Sequence, residues 1–474
     1  MLKKTKIVCT LGPASSDENT MRKMLEAGMN VARLNFSHGT HEEHREKIET
    51  FRKVRDDLRI PAAVMLDTKG PEIRLKDFAN GKEFLEVGDT FTLTTEDCSG
   101  TRERVAITYK DLPGQLHPST AILIDDGRVR LTVKEVSGSH IICTVVTGGK
   151  VSNRKGVNIP DKSLDLEYIS ENDRQDILFG IKMDVDYVAA SFVRSGDDVR
   201  ELRNLLCSNG GEKIKIISKI ENTEGIDNFS EILQLSDGIM VARGDMGVEV
   251  DFERLPGIQK KFIKACCKAG KPVITATQML ESMMTEAAPT RAEITDVANA
   301  VFDGTSAVML SGESAAGEYP VEAVMTMAKI VKQAELDAEE VNQYKYLEVE
   351  TNEKDVSNAM GHAACTTARD INAGAVVAVT TSGYTAEMMA KYKPAQPIIA
   401  ATPYDKTYHQ QALTRGVYPV LTKFSDDWDK LVDEALGGIR RMNLLKKGDS
   451  IVLSAGMPLQ VSGTTNLIRV MNIE

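Results

Sequence analysis

The chain has 474 residues, 42% of them hydrophobic and 27% charged, and carries a formal net charge of -11. This length predicts about two to four domains, and the acidic balance argues against nucleic acid or an anionic membrane as the main partner. The seven cysteines form no CxxC pair and no stretch is as apolar as a membrane span, so we expect a cytoplasmic protein with reduced thiols and no zinc site.

Short apolar runs rich in β-branched residues alternate with amphipathic stretches through the first two thirds of the chain. The runs predict strands at residues 6–10, 31–36, 63–68, 187–192, 214–220, 238–242, 272–277 and 307–311. The amphipathic stretches predict helices at residues 16–27, 41–55, 197–206, 255–269, 290–301 and 321–334. Because apolar strands that alternate with helices are typical of parallel sheets, eight such units predict a closed (β/α)8 TIM barrel.

The alternation breaks once, where turn residues separate β-like runs at residues 91–95, 121–124 and 140–146. We expect an inserted small β-barrel that covers the C-terminal face of the main barrel as a lid. A second α/β pattern follows, with strand-like runs at residues 375–380, 397–401, 417–421 and 450–454, after a polar linker at residues 343–354. The predicted domains are a catalytic barrel (1–70 and 168–343), a lid (71–167) and a C-terminal α/β domain (344–474).

Several predicted barrel strands end in polar residues, and active sites of such barrels lie at these ends. Asn35 and Ser37 are two residues apart and face the same way on an extended chain, and Asp67 and Thr68 end the next strand. Neutral oxygens with one carboxylate suit a large monovalent cation better than magnesium. The alternative is that these residues only cap the following helices.

A second polar group comes from the fifth and sixth strands. Lys219 and Glu221 share one face, and Asp245 follows the neighbouring strand. Two carboxylates make the sparse oxygen site that magnesium prefers, and a lysine beside them would stabilise negative charge on a transferring phosphoryl group or an enolate. The alternative is a buried Lys–Glu ion pair that closes the barrel.

Four further residues at the strand ends fit a phosphorylated substrate. Arg33 and Arg74 carry guanidinium groups that bind phosphate in a bidentate manner, although each is also an ordinary surface residue type. Gly244 allows close approach of backbone amides to a carboxylate, and Thr277 could bind a proton-relay water or simply cap a strand. These residues predict a magnesium-dependent barrel enzyme for a small phosphorylated acid and leave the reaction open.

Seven stretches of the sequence resemble the pyruvate kinase family. They are KIVCTLGP (6–13), RLNFSHG (33–39), LDTKGPEIR (66–74), ISKIEN (217–222), MVARGD (240–245), ATQML (276–280) and MLSGES (309–314). The resemblance covers essentially the whole chain. It implies phosphoryl transfer between phosphoenolpyruvate and ADP, giving pyruvate and ATP in the last step of glycolysis, by a homotetramer.

The resemblance also implies two kinds of metal site. Glu221 and Asp245 would hold Mg²⁺ or Mn²⁺ between the protein and the substrate carboxylate and phosphate. In the family, a glutamate at the position of Glu72 goes with potassium dependence, whereas a lysine goes with independence. Potassium would be held by four residues: Asn35, Ser37, Asp67 and Thr68.

The substrate roles are implied in the same way. Arg33 and Lys219 would contact the transferring phosphoryl group, and Lys219 would also stabilise the enolate. Gly244 and Asp245 would help bind the substrate, and Thr277 would orient pyruvate and the proton donor for its methyl carbon. The nucleotide would be bound by four residues: Asn35, His38, Arg74 and Lys155.

A loop of the C-terminal domain resembles the phosphate-binding loop of pyruvate kinases that sugar phosphates activate. Thr380, Ser382 and Thr385 lie in this loop, TTSGYT, between a predicted strand and a predicted helix. The alternative is plain helix capping. No basic or aromatic grip for a second phosphate is evident before the second family loop at 462–466. The effector therefore stays open between fructose 1,6-bisphosphate and a monophosphate such as ribose 5-phosphate or AMP.

Two other functions compete with pyruvate kinase. Another barrel enzyme for phosphoenolpyruvate or pyruvate, such as an aldolase or mutase, would share the carboxylate pair but would not need the lid. A non-catalytic effector-binding protein would have a decayed site, and the presence of Lys219, Glu221 and Asp245 argues against it.

Overall fold

The structure, a computed structural model, describes residues 2–160, 162–341, 355–425, 427–442, 444–457 and 465–473. The expected linker at 343–354 and residues 462–464 of the second effector loop lie outside these ranges. Within them, no helix combines the length and the apolar character needed to cross a membrane.

Two β/α units and a third strand begin the chain. Helix capping explains their limits, because Asp17 accepts the N–H of Thr20 and Gly28 ends the first helix with a φ of 121°. Thr40 and Glu43 form a capping box that starts the second helix. The elements are β1 (Lys6–Thr10), α1 (Glu18–Ala27), β2 (Val31–Asn35), α2 (His41–Leu58) and β3 (Ala63–Asp67).

An all-β unit follows β3. Its strands are β4 (Ile73–Arg74), β5 (Lys82–Leu85), β6 (Thr90–Thr94), β7 (Arg104–Ala106), β8 (Ala121–Ile124), β9 (Val129–Ser137), β10 (His140–Thr147), β11 (Gly149–Ser152) and β12 (Gly156–Asn158). Seven of them form one sheet, and β5 pairs with β11. A bridge between Leu75 and Ile107 joins the two edges of the seven-stranded sheet, which therefore curls around its own apolar core.

The remaining β/α units complete the first sheet. They are α3 (Glu171–Lys182), β13 (Tyr187–Ala190), α4 (Gly196–Ser208), β14 (Lys215–Ile220), α5 (Thr223–Asp227), α6 (Phe229–Leu235), β15 (Gly238–Ala242), α7 (Arg243–Glu249), α8 (Leu255–Ala269), β16 (Val273–Ala276), α9 (Arg291–Asp303), β17 (Ala307–Leu310), α10 (Gly312–Ala315) and α11 (Pro320–Glu340). β1, β2, β3 and β13 to β17 pair in parallel to close an eight-stranded barrel. The predicted (β/α)8 barrel is confirmed.

The C-terminal domain is a five-stranded sheet with apolar clusters on both faces. Its elements are α12 (Val356–Asp370), β18 (Ala375–Val379), α13 (Tyr384–Lys391), β19 (Ile398–Thr402), α14 (Asp405–Gln410), β20 (Val417–Leu421), α15 (Trp428–Arg441), β21 (Ser450–Gly456) and β22 (Thr465–Asn472). The predicted α/β class is confirmed, although the antiparallel edge strand β22 was not expected. The exact domain boundaries stay predictions.

The C-terminal domain docks on the N-terminal ends of the barrel strands. Leu413 belongs to the apolar cluster that fills the barrel interior, and the Tyr187 hydroxyl donates to the Gln410 carbonyl at 2.5 Å. Lys6 donates from β1 to the Val417 carbonyl at 2.6 Å. The opposite, C-terminal ends of the strands are therefore left for the lid and the candidate site.

Candidate active site

Four of the predicted site residues meet at the C-terminal ends of β2, β3 and β14. Arg33 Nε lies 2.6 Å from Asp67 Oδ2, and Lys219 Nζ lies 3.1 Å from Asp67 Oδ1 and 3.0 Å from Glu221 Oε1. All four side chains are buried. The ion pair considered from the sequence therefore exists, and it belongs to a larger charged cluster at the barrel mouth.

The charges in this cluster shift one another's protonation. Burial alone lowers the pKa of Lys219, but the negative charge of Asp67 and, when it is ionised, that of Glu221 reverse this, so its pKa rises and the ammonium stays charged. Burial also acts to raise the pKa of Asp67, yet Arg33 and Lys219 outweigh it and the pKa falls. Asp67 is therefore an ionised carboxylate between two cations.

Glu221 responds differently. Burial raises its pKa to about 8, since the lowering effect of Lys219 is opposed by the negative charge of Asp245. Its Oε2 accepts the Phe192 N–H at 2.6 Å. A buried carboxyl beside a second carboxylate gains from a bound cation, so the donor chemistry of Glu221 and Asp245 fits a divalent ion. The described residues contain no cluster of three or more His, Cys, Asp or Glu ligands.

The four expected potassium ligands lie on two adjacent strand ends. Asn35 pairs in register with Asp67. The extended geometry expected from Asn35 to Ser37 is wrong, because β2 ends at Asn35 and the Ser37 N–H turns back to Asn35 Oδ1 at 3.1 Å. Thr68 Oγ1 accepts the Ser191 N–H at 3.1 Å. These residue types offer amide and hydroxyl oxygens together with one ionised carboxylate, a donor set that suits a weakly charged cation.

Thr277 has a strained backbone. Its φ of 69° lies in the left-handed region, where a β-branched residue is an outlier. Arg243 donates to its carbonyl at 2.5 Å, and its hydroxyl accepts the Gly244 N–H at 2.8 Å. Asp296 pairs with Arg243 at 2.7 Å. Thr277 thus lies just beyond β16 rather than at its last position, and a buried arginine fixes its orientation.

A cleft of about 530 Å³ lies between the lid and the barrel mouth. It is lined by strand-end, lid and α5 residues that include Arg74, Lys155 and Asp245. Arg74 pairs with Glu72 at 2.6 Å, and Lys155 pairs with Asp125 at 2.8 Å. Among the described residues, Asn35 and His38 do not line this cleft, and His38 is exposed.

Two contacts hold the lid over the cleft. Asn158 Nδ2 donates to Glu249 Oε1 at 2.9 Å, and the Ser163 hydroxyl donates to Glu224 Oε1 at 3.0 Å. Both join the lid side of the cleft to helices that follow barrel strands.

The effector loop is partly occupied by its own contacts. Thr380 Oγ1 accepts the Gly383 N–H at 2.9 Å, and the Thr385 hydroxyl lies 2.7 Å from that of Thr465. Ser382 is exposed, and Gly383, the N-cap of α13, has a φ of 89°. No side chain of the described residues makes a cap hydrogen bond at α13, so the Thr380 contact stabilises the turn before the helix and plain helix capping does not describe this loop.

The sequence prediction missed Ser191 and Arg243. Ser191 contacts Lys219, Asp67 and Thr68, and it directly follows β13. The rule that selected polar strand ends would have found it, but the predicted strand ran on to residue 192. Arg243 stands inside the MVARGD motif, and nothing in its spacing indicates that it turns towards Thr277.

Two family models match the chain. The model for pyruvate kinase, barrel domain, matches residues 2–324, and the model for pyruvate kinase, alpha/beta domain, matches residues 358–471. The pyruvate kinase of Clostridium acetobutylicum is 48% identical over 476 residues and that of Clostridium perfringens 45% identical over 478, each covering 100% of both chains. The pyruvate kinase of Staphylococcus haemolyticus is 48% identical over 99% of this chain and 80% of its own length.

Proposed function

The chain belongs to the pyruvate kinase family, and from this we propose how its residues transfer a phosphoryl group from phosphoenolpyruvate to ADP, giving pyruvate and ATP as in the last step of glycolysis. The observation that carries the assignment of residues is the Lys219 ammonium, held 3.1 Å from Asp67 and 3.0 Å from Glu221 at the barrel mouth. Positive charge there can stabilise both the migrating phosphoryl group and the enolate that leaves.

The metal ions have clear candidate ligands. Glu221 and Asp245 would hold Mg²⁺ or Mn²⁺, and the raised pKa of Glu221 supports this because an ionised carboxylate there needs a cation. When bound, the dication supplies charge that neutralises phosphate oxygens. K⁺ would be held by Asn35, Ser37, Asp67 and Thr68. The glutamate at position 72 supports potassium dependence.

The remaining roles concern positioning. Arg33 and Lys219 would bind the phosphoryl group, while Gly244 and Asp245 would bind the substrate carboxylate end. Thr277 would orient pyruvate so that a proton reaches its methyl carbon from one face. Nucleotide binding is assigned to Asn35, His38, Arg74 and Lys155. Of these, Arg74 and Lys155 line the cleft.

Lid closure would exclude water from this chemistry. The contacts Asn158–Glu249 and Ser163–Glu224 already bring the lid against the barrel. Exclusion of water limits hydrolysis of the phosphoryl donor and strengthens each charge interaction in the site.

A coupled assay tests the function. Pyruvate formed from phosphoenolpyruvate is followed with excess lactate dehydrogenase while ADP, Mg²⁺ or K⁺ is omitted in turn. We expect turnover only in the complete mixture, with strong loss on each omission. Pyruvate release without ADP would indicate a phosphatase and would contradict the proposal.

We also propose regulation by a sugar phosphate at the loop of Thr380, Ser382 and Thr385, and a homotetrameric assembly. The exposed Ser382 and the N-terminus of α13 support the first, and the family supports the second. Light scattering on the protein as it elutes from a size-exclusion column tests the assembly, and a homotetramer would give about four times the mass of one chain. The seven cysteines are all free thiols, which supports a cytoplasmic location.

A further inference from the structure

Ser191 lies at the centre of the charged cluster and has none of the roles above. It follows β13 directly and is 2% exposed. Its Oγ lies 2.7 Å from Lys219 Nζ, 2.6 Å from the Thr68 carbonyl and 3.3 Å from Asp67 Oδ1. A single hydroxyl therefore reaches the ends of both neighbouring strands, β3 and β14.

The chemistry of the partners fixes the direction of these hydrogen bonds. An ammonium can only donate and a carbonyl can only accept, so Ser191 Oγ accepts from Lys219 and donates its one proton to Thr68. Asp67 Oδ1 at 3.3 Å is the longest of the three contacts. Ser191 also donates its backbone N–H to Thr68 Oγ1 at 3.1 Å, so it is bonded to Thr68 twice.

The Lys219 ammonium has three oxygen partners. It donates hydrogen bonds to Asp67 Oδ1 and to the Ser191 hydroxyl, which is the nearest of the three, and it forms an ion pair with Glu221. Together these three contacts define the position of the ammonium. Without Ser191 only the two carboxyl groups would hold the ammonium, so it would shift towards them and away from β13.

We propose that Ser191 is a positioning residue for phosphoryl transfer. Its hydroxyl accepts a hydrogen bond from the Lys219 ammonium and donates one to the Thr68 carbonyl. It thereby fixes the ammonium that would stabilise the enolate relative to the strand end that would bind K⁺. This inference rests on the proposed function, since it uses the roles of Lys219 and Thr68 given there. Because enolate charge is absent from bound phosphoenolpyruvate and develops during the transfer, loss of this positioning lowers kcat more than it raises KM.

The test replaces Ser191 and a matched serine in the full-length enzyme. Ser218 immediately precedes Lys219, is fully buried and forms a 2.6 Å hydrogen bond with Ser236. Like Ser191→Ala, Ser218→Ala removes a buried hydroxyl oxygen together with its hydrogen bonding. For both variants we measure kcat, KM for phosphoenolpyruvate and the K⁺ concentration that gives half-maximal activity. Circular dichroism gives the folded fraction.

We expect Ser191→Ala to lower kcat about ten- to hundredfold, to change KM by less than about threefold and to raise the half-activating K⁺ concentration at least about threefold. Ser218→Ala keeps all three within about twofold of the wild type. A partly unfolded sample loses kcat without changing the half-activating K⁺ concentration, so this constant separates positioning from a structural role. Ser191→Thr, which keeps the hydroxyl, restores both quantities.

If the wild type turns over and Ser191→Ala has the same kcat and half-activating K⁺ concentration, this inference is overturned and the proposed function stands. The same holds if Ser218→Ala loses as much kcat as Ser191→Ala. A wild-type enzyme without turnover in the complete mixture overturns the proposed function and this inference with it. If Ser191→Ala does not fold, Ser191→Cys is measured in the same way and should show the same loss, because a thiol fills the site but accepts hydrogen bonds only weakly.

Discussion

Glu387 of α13 accepts a hydrogen bond from Lys215, the first residue of the strand that carries Lys219 near its other end. Gln411 donates to the same carboxylate at 2.9 Å, and a Cβ on Gly383 would lie only 2.0 Å from the Gln411 amide nitrogen. The carboxylate of Glu387 therefore connects the candidate effector loop with the barrel strand that enters the active site.

Removing this contact should weaken the junction of barrel and C-terminal domain. Both side chains are largely buried, so Glu387→Gln leaves the Lys215 charge poorly compensated and should lower the free energy of unfolding by about 2–3 kcal/mol. Urea unfolding followed by circular dichroism measures this. The control is Lys53→Gln, which breaks an exposed pair with Glu18 and should leave the free energy of unfolding nearly unchanged, because water screens such a pair. Equal stability of both variants would show that the junction does not depend on Glu387.

Binding of a divalent ion should release a proton from Glu221. The folded-state pKa of about 8 is above the ordinary 4.5, so the metal-free protein keeps this proton at pH 7 while the unfolded chain does not. The stability contributed by this group is therefore lost as pH rises towards 8. Because a dication binds the ionised form, calorimetry with Mn²⁺ at pH 7 should find about one proton released per ion, falling towards zero above pH 9.

Buffers with different ionisation enthalpies provide the measurement. A binding enthalpy that does not vary with the buffer at pH 7 would contradict the assignment of Glu221 as a ligand whose protonation is coupled to metal binding.

The hydroxyl of Thr277 should matter more than its methyl group. Thr277→Ala removes the acceptor of the Gly244 N–H and should lower kcat about ten- to hundredfold, whereas Thr277→Ser should stay near the wild type. Thr275 lies on β16, two residues before Thr277, is fully buried and bonds to Thr305 at 2.9 Å. Thr275→Ala should therefore cost stability but little turnover, and the coupled assay compares the three variants. A Thr277→Ala enzyme with normal kcat would remove Thr277 from the mechanism.

Local sequence pattern predicted most of the barrel and the lysine–carboxylate group. Lys219 and Glu221 were placed correctly on one face because alternation along a strand is a local property. The end of β13 at Ala190 was not predictable in this way. The backbone turns at Phe192, whose φ is 52°, and no glycine marks this turn in the sequence. Ser191 was missed for that reason.

Contacts between distant segments account for the rest. The hydroxyl of Thr385 is engaged by Thr465, 80 residues further along the chain, and no local signal indicates this. The turn of Ser37 towards Asn35 likewise depends on where β2 stops pairing with β3. Polar residue types at a strand end can thus be read from the sequence, but their partners require the folded chain.

A negative charge at position 382 should abolish effector binding. Ser382 is exposed at the start of α13, so Ser382→Asp would repel a phosphate from the loop. We expect one of fructose 1,6-bisphosphate, ribose 5-phosphate or AMP to raise wild-type activity at low phosphoenolpyruvate about fivefold or more, and this ratio to fall to about one in the variant. Ser137→Asp, on an exposed lid serine, is the control. Flat responses of the wild type to all three compounds would contradict regulation at this loop.

Replacement of Lys219 by methionine is the sharpest test of phosphoryl transfer at this site. We expect turnover to fall about a thousandfold in the complete mixture of phosphoenolpyruvate, ADP, Mg²⁺ and K⁺, while the circular dichroism remains that of a folded chain. Lys271→Met removes a barrel lysine that bonds three carbonyls at the end of α6, and it should retain turnover within about twofold. Turnover of Lys219→Met above a tenth of the wild type would contradict the role of this ammonium in the transfer.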